Sequence, residues 1–168
     1  MKTMLPTFRP MDTSDIPNVL DLERATYPEP WSMGVFGAEL SQGNRVYIVA
    51  VADDEIIGYA GLMLVDEDAH VTTLAVKQGG RKAGLGTRLM LQLIAAGLQR
   101  GARYLTLEVR ATNEGAQRLY NKFGMEPVGV RKNYYRGDDA VIMWATDIDQ
   151  PEYAARLAEI EAGLEGQV

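Results

Sequence analysis

Apolar positions along the chain follow two periods. Arg45–Ala52 (RVYIVAVA) and Glu55–Val65 (EIIGYAGLMLV) are nearly continuous runs rich in β-branched and aromatic residues, parted by Asp53-Asp54, and predict a hairpin. Ala69–Val76 predicts the next strand, entered through the turn "DEDA". Shorter strands are predicted at Leu5–Arg9, Tyr104–Val109, Met125–Asn133 and Ala140–Thr146, the last two joined across "YYRGDD". Helical spacing governs the rest. Ile16, Val19, Leu20 and Leu22 mark a helix in "DTSDIPNVLDLERATY" with caps among Asp12–Ser14, and "PEPW" ends it. Ser32 caps a second helix that stops near Gly43. Helices follow over about Leu85–Arg100, stopped by Gly101, over Asn113–Phe123, stopped by Gly124, and over Pro151–Leu164.

This order, hairpins first and crossover helices later, predicts an α+β (mixed α/β) fold: a central, mixed, mostly antiparallel sheet of about seven strands flanked by helices. A length of 168 residues suits one domain, at roughly 100–200 residues each. The expected boundaries are 1–150 for the domain and 151–168 for a C-terminal helical extension of the same body.

Composition narrows the chemistry. A formal charge of -6 argues against general binding to nucleic acid or an anionic membrane. The chain has no cysteine, so no thiol can carry an acyl group or a metal. Its one histidine, His70, cannot build a histidine cluster, and no metal is expected. No signal-type segment or membrane-length apolar run occurs, which leads to the expectation of a cytoplasmic protein.

Basic residues must then act locally, and they concentrate in "VKQGGRKAGLGTR", a glycine-rich link between a strand and a helix. The first N–H groups of a helix lack intrahelical partners, and its dipole adds positive charge there. Glycine lets a backbone approach a phosphate closely, and Arg81, Lys82 and Arg88 add full charges. A pyrophosphate-bearing ligand suits this link. A Walker A loop is a poor match, because Gly86-Thr87-Arg88 stands where Gly-Lys-Ser/Thr belongs. A dinucleotide site is a closer decoy: Gly84 and Gly86 are present and Glu108 follows 22 residues on, but Leu89 takes the third glycine position and the upstream hairpins spoil a doubly wound sheet. A plain glycine turn also remains open.

A second constellation is "YLTLEVRATNEGAQRLYNKFGM". Leu105, Leu107 and Val109 share one strand face, and Thr106, Glu108 and Arg110 the other. Together with "TLAVKQGGRKAGLGTRLM", this resembles the GCN5-related N-acetyltransferases (GNAT), and Arg81-Lys82-Ala83-Gly84-Leu85-Gly86 fits their acetyl-CoA loop. "PWS", "LEVRATN", "RKNYY" and "DDAVIM" narrow the likeness to the RimI-like branch, N-terminal alanine acetyltransferases of a small-subunit ribosomal protein, the eighteenth. The resemblance implies an acetyl-CoA cosubstrate. It implies that Leu74, Ala75 and Val76 pair their backbone with the pantetheine arm. Arg81, Lys82, Ala83, Gly84, Leu85, Gly86 and Thr87 would hold the pyrophosphate, and Asn113 would touch the cosubstrate. Glu108 matches the general base and Tyr120 the general acid.

The chemistry needs such groups. An α-amine, with a reference pKa of about 7.7–8.0, must lose a proton before it attacks a thioester. The leaving thiolate needs a donor, and a strand N–H such as that of Val76 suits the oxyanion. Without cysteine, direct transfer in a ternary complex is expected. The loop departs from the family pattern at Gln78, where proline is common, and at Lys82 and Ala83, which implies weaker cosubstrate binding.

Plainer readings stand beside these. Glu108 also reads as a solvated residue paired with Arg110, Tyr120 as a helix residue packed on the sheet, and Arg81-Lys82 as a solvated loop. His70 reads as a structural strand residue rather than a catalyst. Asn133, Tyr134 and Tyr135 read equally as a peptide groove or as hairpin decoration, and Trp31 as acceptor lining or loop anchor. The competing functions are a GNAT enzyme for other N-termini, lysines or small amines, and a non-catalytic acyl-CoA sensor. Presence of both Glu108 and Tyr120 disfavours the sensor, since binding alone needs neither.

Overall fold

A computed structural model describes residues 5–78 and 84–165. The strands are β1 (Thr7–Pro10), β2 (Arg45–Ala52), β3 (Glu55–Val65), β4 (Asp68–Val76), β5 (Tyr104–Arg110), β6 (Glu126–Tyr135) and β7 (Asp138–Thr146). The helices are α1 (Ile16–Thr26), α2 (Met33–Leu40), α3 (Leu85–Gln99), α4 (Glu114–Lys122) and α5 (Pro151–Glu165), with a 3-10 turn at Thr13–Asp15. The strands form one seven-stranded sheet in the order β1-β2-β3-β4-β5-β7-β6. Pairing is antiparallel for β1–β2, β2–β3, β5–β7 and β6–β7, and parallel for β4–β5, so the mixed α+β architecture expected from the sequence is present. Among the described residues, no helix is long and apolar enough to cross a membrane.

The chain forms two compact units, 1–63 with 72–96, and 64–71 with 97–168. In the first, β2 and β3 meet at Asp53-Asp54, both at positive φ, as a two-residue hairpin turn matching the right-handed strand twist requires. α1 buries Ile16, Val19, Leu20 and Glu23 at i, i+3, i+4 and i+7, so an acid completes its apolar stripe. Phe36 of α2 packs edge-on against Tyr59 of β3, ring centroids 5.9 Å apart, in a core shared with Met11, Val49 and Ala75. Asp12 and Asp15 form a reciprocal capping box ahead of α1. The Ser32 hydroxyl caps α2 by accepting from the Val35 N–H at 3.2 Å.

In the second unit, Leu105, Leu107 and Val109 of β5 are buried and the alternate residues half-buried, as the two-residue period requires. The Asn113 side chain caps α4 by accepting from the Ala116 N–H at 3.1 Å. α4 ends in a Schellman motif: Gly124 sits at φ +77, and the Met125 N–H reaches back to the Tyr120 carbonyl. α5 docks on that end. The buried Tyr153 donates its hydroxyl to the Phe123 carbonyl at 2.6 Å, and Arg156 donates to the Lys122 carbonyl at 3.2 Å.

Candidate active site

The first unit holds the glycine link's described end. Gly84, at φ +71, opens α3, and the Arg88 N–H to Gly84 carbonyl bond at 3.0 Å starts the helical ladder. The first N–H groups of a helix lack intrahelical partners, its dipole adds positive charge at that end, and the left-handed glycine there carries no Cβ. This arrangement fits a pyrophosphate. Leu85 and Thr87 are buried and Gly86 half-buried. The positions expected at Arg81, Lys82 and Ala83 lie outside the described residues.

Close packing fixes this helix. A Cβ on Gly58 would stand 3.1 Å from Leu89, 3.2 Å from Leu85 and 3.2 Å from the Ala75 carbonyl, so α3 lies tight against β3. Leu74, Ala75 and Val76 end β4, the latter two buried. The Leu74 carbonyl already accepts the Tyr27 hydroxyl at 2.5 Å, so only its second lone pair remains for another donor.

The segment between α1 and α2 hangs on Glu23. This carboxylate is 2% exposed and accepts the Tyr59 hydroxyl and, at 2.8 Å, the Trp31 N–H. Burial, followed by the hydrogen bond to Glu23, pushes the Tyr59 hydroxyl pKa far up. The Trp31 ring leans on Phe36 at 5.2 Å, so Trp31 anchors this segment.

The second unit holds Glu108 and Tyr120. Glu108 stands opposite Ile142 of β7, with a mostly covered side chain. Its Oε1 lies 3.5 Å from the Arg131 Nε and its Oε2 3.9 Å from the His70 Nε2, and the Tyr134 hydroxyl bonds the same carboxylate. Burial raises the Tyr134 hydroxyl pKa, and the Glu108 charge and hydrogen bond raise it further, against Arg131. His70 is lowered from 6.5, first by burial, with Glu108 opposing and Arg131 adding to the shift. Its Nδ1 sits 2.8 Å from the Thr106 Oγ1.

Arg110, the partner that a plain reading assigned to Glu108, instead stacks over Tyr135 at 4.3 Å. The Tyr135 hydroxyl reaches the Glu108 carbonyl at 3.4 Å, and its ring meets Tyr134 edge-on at 5.0 Å. Asn133 takes a left-handed φ of +53 and donates its N–H to Asp139 Oδ1 at 2.8 Å, within the register shift that turns Tyr134 and Tyr135 toward β5. Tyr120 is buried on α4, and Asn113 spends its side-chain oxygen on the cap.

The geometry thus gathers Glu108, Tyr134 and Tyr135 and adds two residues the sequence reading did not assign to a site, His70 and Arg131. Their signal is not local. His70 reaches Glu108 because the parallel register sets His70 beside Thr106, two residues from Glu108 on the same face. Arg131 arrives from an edge strand two positions away in the sheet. Among the described residues, no group of three or more His, Cys, Asp or Glu side chains could hold a metal.

The sequence profile of the Acetyltransferase (GNAT) family matches residues 16–125. A Bacillus subtilis (strain 168) relative, provisionally named [ribosomal protein bS18]-alanine N-acetyltransferase, is 40% identical over 141 residues, covering 82% of this chain and 93% of its own. The Salmonella typhimurium [ribosomal protein bS18]-alanine N-acetyltransferase is 34% identical over 138 residues, covering 79% and 92%. The crystal structure of the ribosomal-protein-S18-alanine N-acetyltransferase from Escherichia coli superposes with a TM-score of 0.78 at 28% identity, over 85% of this chain and 94% of that one.

Proposed function

The chain belongs to the acetyltransferase (GNAT) family, and on that premise we propose that it acetylates the N-terminal alanine of ribosomal protein bS18, with Glu108 as general base and Tyr120 as general acid. It is an acetyl-CoA-dependent N-acetyltransferase. The names carried by its relatives support the acceptor. The observation that carries the base is the Glu108 carboxylate, mostly covered yet ringed by Arg131, His70 and Tyr134. Such surroundings hold the carboxylate in one orientation, as a group that must receive a proton from an incoming ammonium requires.

When bound, acetyl-CoA supplies the activated acyl thioester. The described cradle for its pyrophosphate is Gly84 to Thr87, with Arg81, Lys82 and Ala83 proposed beside it, and the ends of β4 and α4 (Leu74, Ala75, Val76 and Asn113) are proposed to hold the rest. Glu108 takes the proton from the acceptor's α-ammonium, whose reference pKa is about 7.7–8.0. Tyr120 gives its hydroxyl proton to the leaving sulfur. With no cysteine in the sequence, no thiol of the chain carries the acetyl group, and transfer is direct within a ternary complex. Trp31, Asn133, Tyr134 and Tyr135 are proposed to meet the acceptor's first residues. Residues 1–150 form the catalytic domain and 151–168 its C-terminal extension, with the cytoplasm, where ribosomal proteins are made, as the place of action.

Mass spectrometry of a peptide panel with acetyl-CoA tests the acceptor. Acetylation of a free alanine N-terminus, lost when that terminus is blocked although an internal lysine remains, is the expected result. Modification of only the lysine, or of only a polyamine, overturns the acceptor while leaving the family in place.

A further inference from the structure

The chain's one histidine sits against the proposed base. Its ring is held from both sides: Nδ1 is 2.8 Å from the Thr106 hydroxyl, and Nε2 faces Glu108 Oε2 at 3.9 Å. Thr106 and Glu108 project from the same face of β5, so one strand bonds one edge of the imidazole and sets a carboxylate near the other. If Thr106 donates its O–H to Nδ1, the proton of the neutral ring lies on Nε2, aimed at the carboxylate. The charged or titratable groups around this pair are Glu108 from β5 and Arg131 from β6, with Tyr134 bonding the same carboxylate.

We propose that His70 shuts transfer down in mild acid: neutral, its Thr106-anchored ring stands uncharged beside the Glu108 carboxylate, and protonated, it sets a second cation beside Arg131 against the group that must accept a proton. The inference rests on Glu108 as the base. A carboxylate between two cations holds its negative charge more firmly and gains a proton less readily. The balance is simple. One solvent proton joins Nδ1 below the titration of His70, no bond to the carboxylate forms or breaks, and the acceptor's proton then finds a weaker base. Burial disfavours the imidazolium, Glu108 opposes that and Arg131 adds to it, and the balance lowers His70 below its ordinary 6.5, so the ring is neutral at neutral pH.

The test uses the full chain with acetyl-CoA and an alanine-first peptide, with kcat and KM measured from pH 5 to pH 8.5. Glutamine is polar and of similar length but does not titrate, so His70→Gln should hold kcat within about threefold of the parent at pH 8 and exceed it progressively as pH falls below 6.5. His70→Phe also removes the titrating group and should likewise lose the parent's extra fall in kcat on the acid side, with little change in acceptor KM. The amine's own titration cancels in the ratio of variant to parent. A His70→Gln ratio that stays flat with pH overturns the inference, as does a His70→Phe variant that keeps the parent's acid-side fall. If His70→Phe fails to fold by its melting curve, the His70→Gln ratio decides alone. Glu108→Gln in the same series separates the two failures. If it keeps kcat, the reading of Glu108 as base falls. If it loses kcat by about a hundredfold while the His70→Gln ratio is flat, only the role of His70 falls.

Discussion

Replacing Glu23 with alanine should remove a large share of the protein's stability. The carboxylate lies on the apolar stripe of α1, 2% exposed, and serves two donors: the hydroxyl of Tyr59, itself fully buried, and the N–H of Trp31. Hydrogen bonds to a charged acceptor contribute about 1.5–3 kcal/mol each, and a donor left buried without a partner costs a similar amount. Thr73 also bonds the Tyr59 hydroxyl and softens that part of the loss. The expected cost of Glu23→Ala is therefore about 3–5 kcal/mol, against a total of roughly 5–15 kcal/mol for a typical domain. Glu23→Gln keeps one carbonyl acceptor and should cost about half as much. Urea unfolding followed by circular dichroism measures both. A double-mutant cycle with Tyr59→Phe should return a coupling of about 1.5–2 kcal/mol, because the hydroxyl's main partner is already gone in the alanine background. A cost below about 1 kcal/mol for Glu23→Ala, or additive single variants, would refute the claim that this buried acid ties α1, β3 and the segment before α2 together.

Other consequences follow from local geometry. A Cβ on Gly61 would lie 2.2 Å from the ring of Tyr47, whose hydroxyl is pinned by Glu39 and Thr72, so Gly61→Ala should cost about 3 kcal/mol and lower the melting temperature by roughly 6–12 °C in calorimetry. Asp15, doubly bonded by Arg9, titrates below its ordinary 3.8 in the folded protein. Its stabilisation is complete above that value and disappears as pH falls through the lower folded one, so Arg9→Gln should move the acid-unfolding midpoint upward in a circular-dichroism titration. Tyr153→Phe strips the Phe123 carbonyl of its donor and should cost about 1–2 kcal/mol in denaturant unfolding, and truncation after Gln150 should cost more because it also removes the buried Leu164.

Much of the fold is legible because most elements declare their period. The β2–β3 hairpin is bounded by the residues its composition marks, and the glycine stops of α3 and α4 take the positive φ expected of them. The sequence reading fails where an element breaks its own pattern. It ends β6 at Asn133 and begins β7 at Ala140, whereas the strands run to Tyr135 and from Asp138 around a turn at Arg136-Gly137. Asn133 is left-handed inside the strand, and such a bulge interrupts the alternation that marks strands. On α1 the expected apolar set includes Leu22, yet Glu23 is the buried residue, since an acid is scored as surface unless its partners, here from β3 and the segment before α2, are known. The site follows the same rule. Glu108 and Tyr120 stand in readable motifs, while His70 and Arg131 reach Glu108 only through strand register, which no local window contains.

The most direct test of the account is the single-turnover rate of Glu108→Gln beside the parent, with acetyl-CoA saturating and an alanine-first bS18 peptide as acceptor, across pH 6–9.5. If Glu108 removes the amine's proton, the variant should be slower by about 10²–10⁴-fold at pH 7 and should recover toward higher pH as free amine replaces ammonium in solution. A variant within tenfold of the parent, with the same pH profile, would contradict Glu108 as the base.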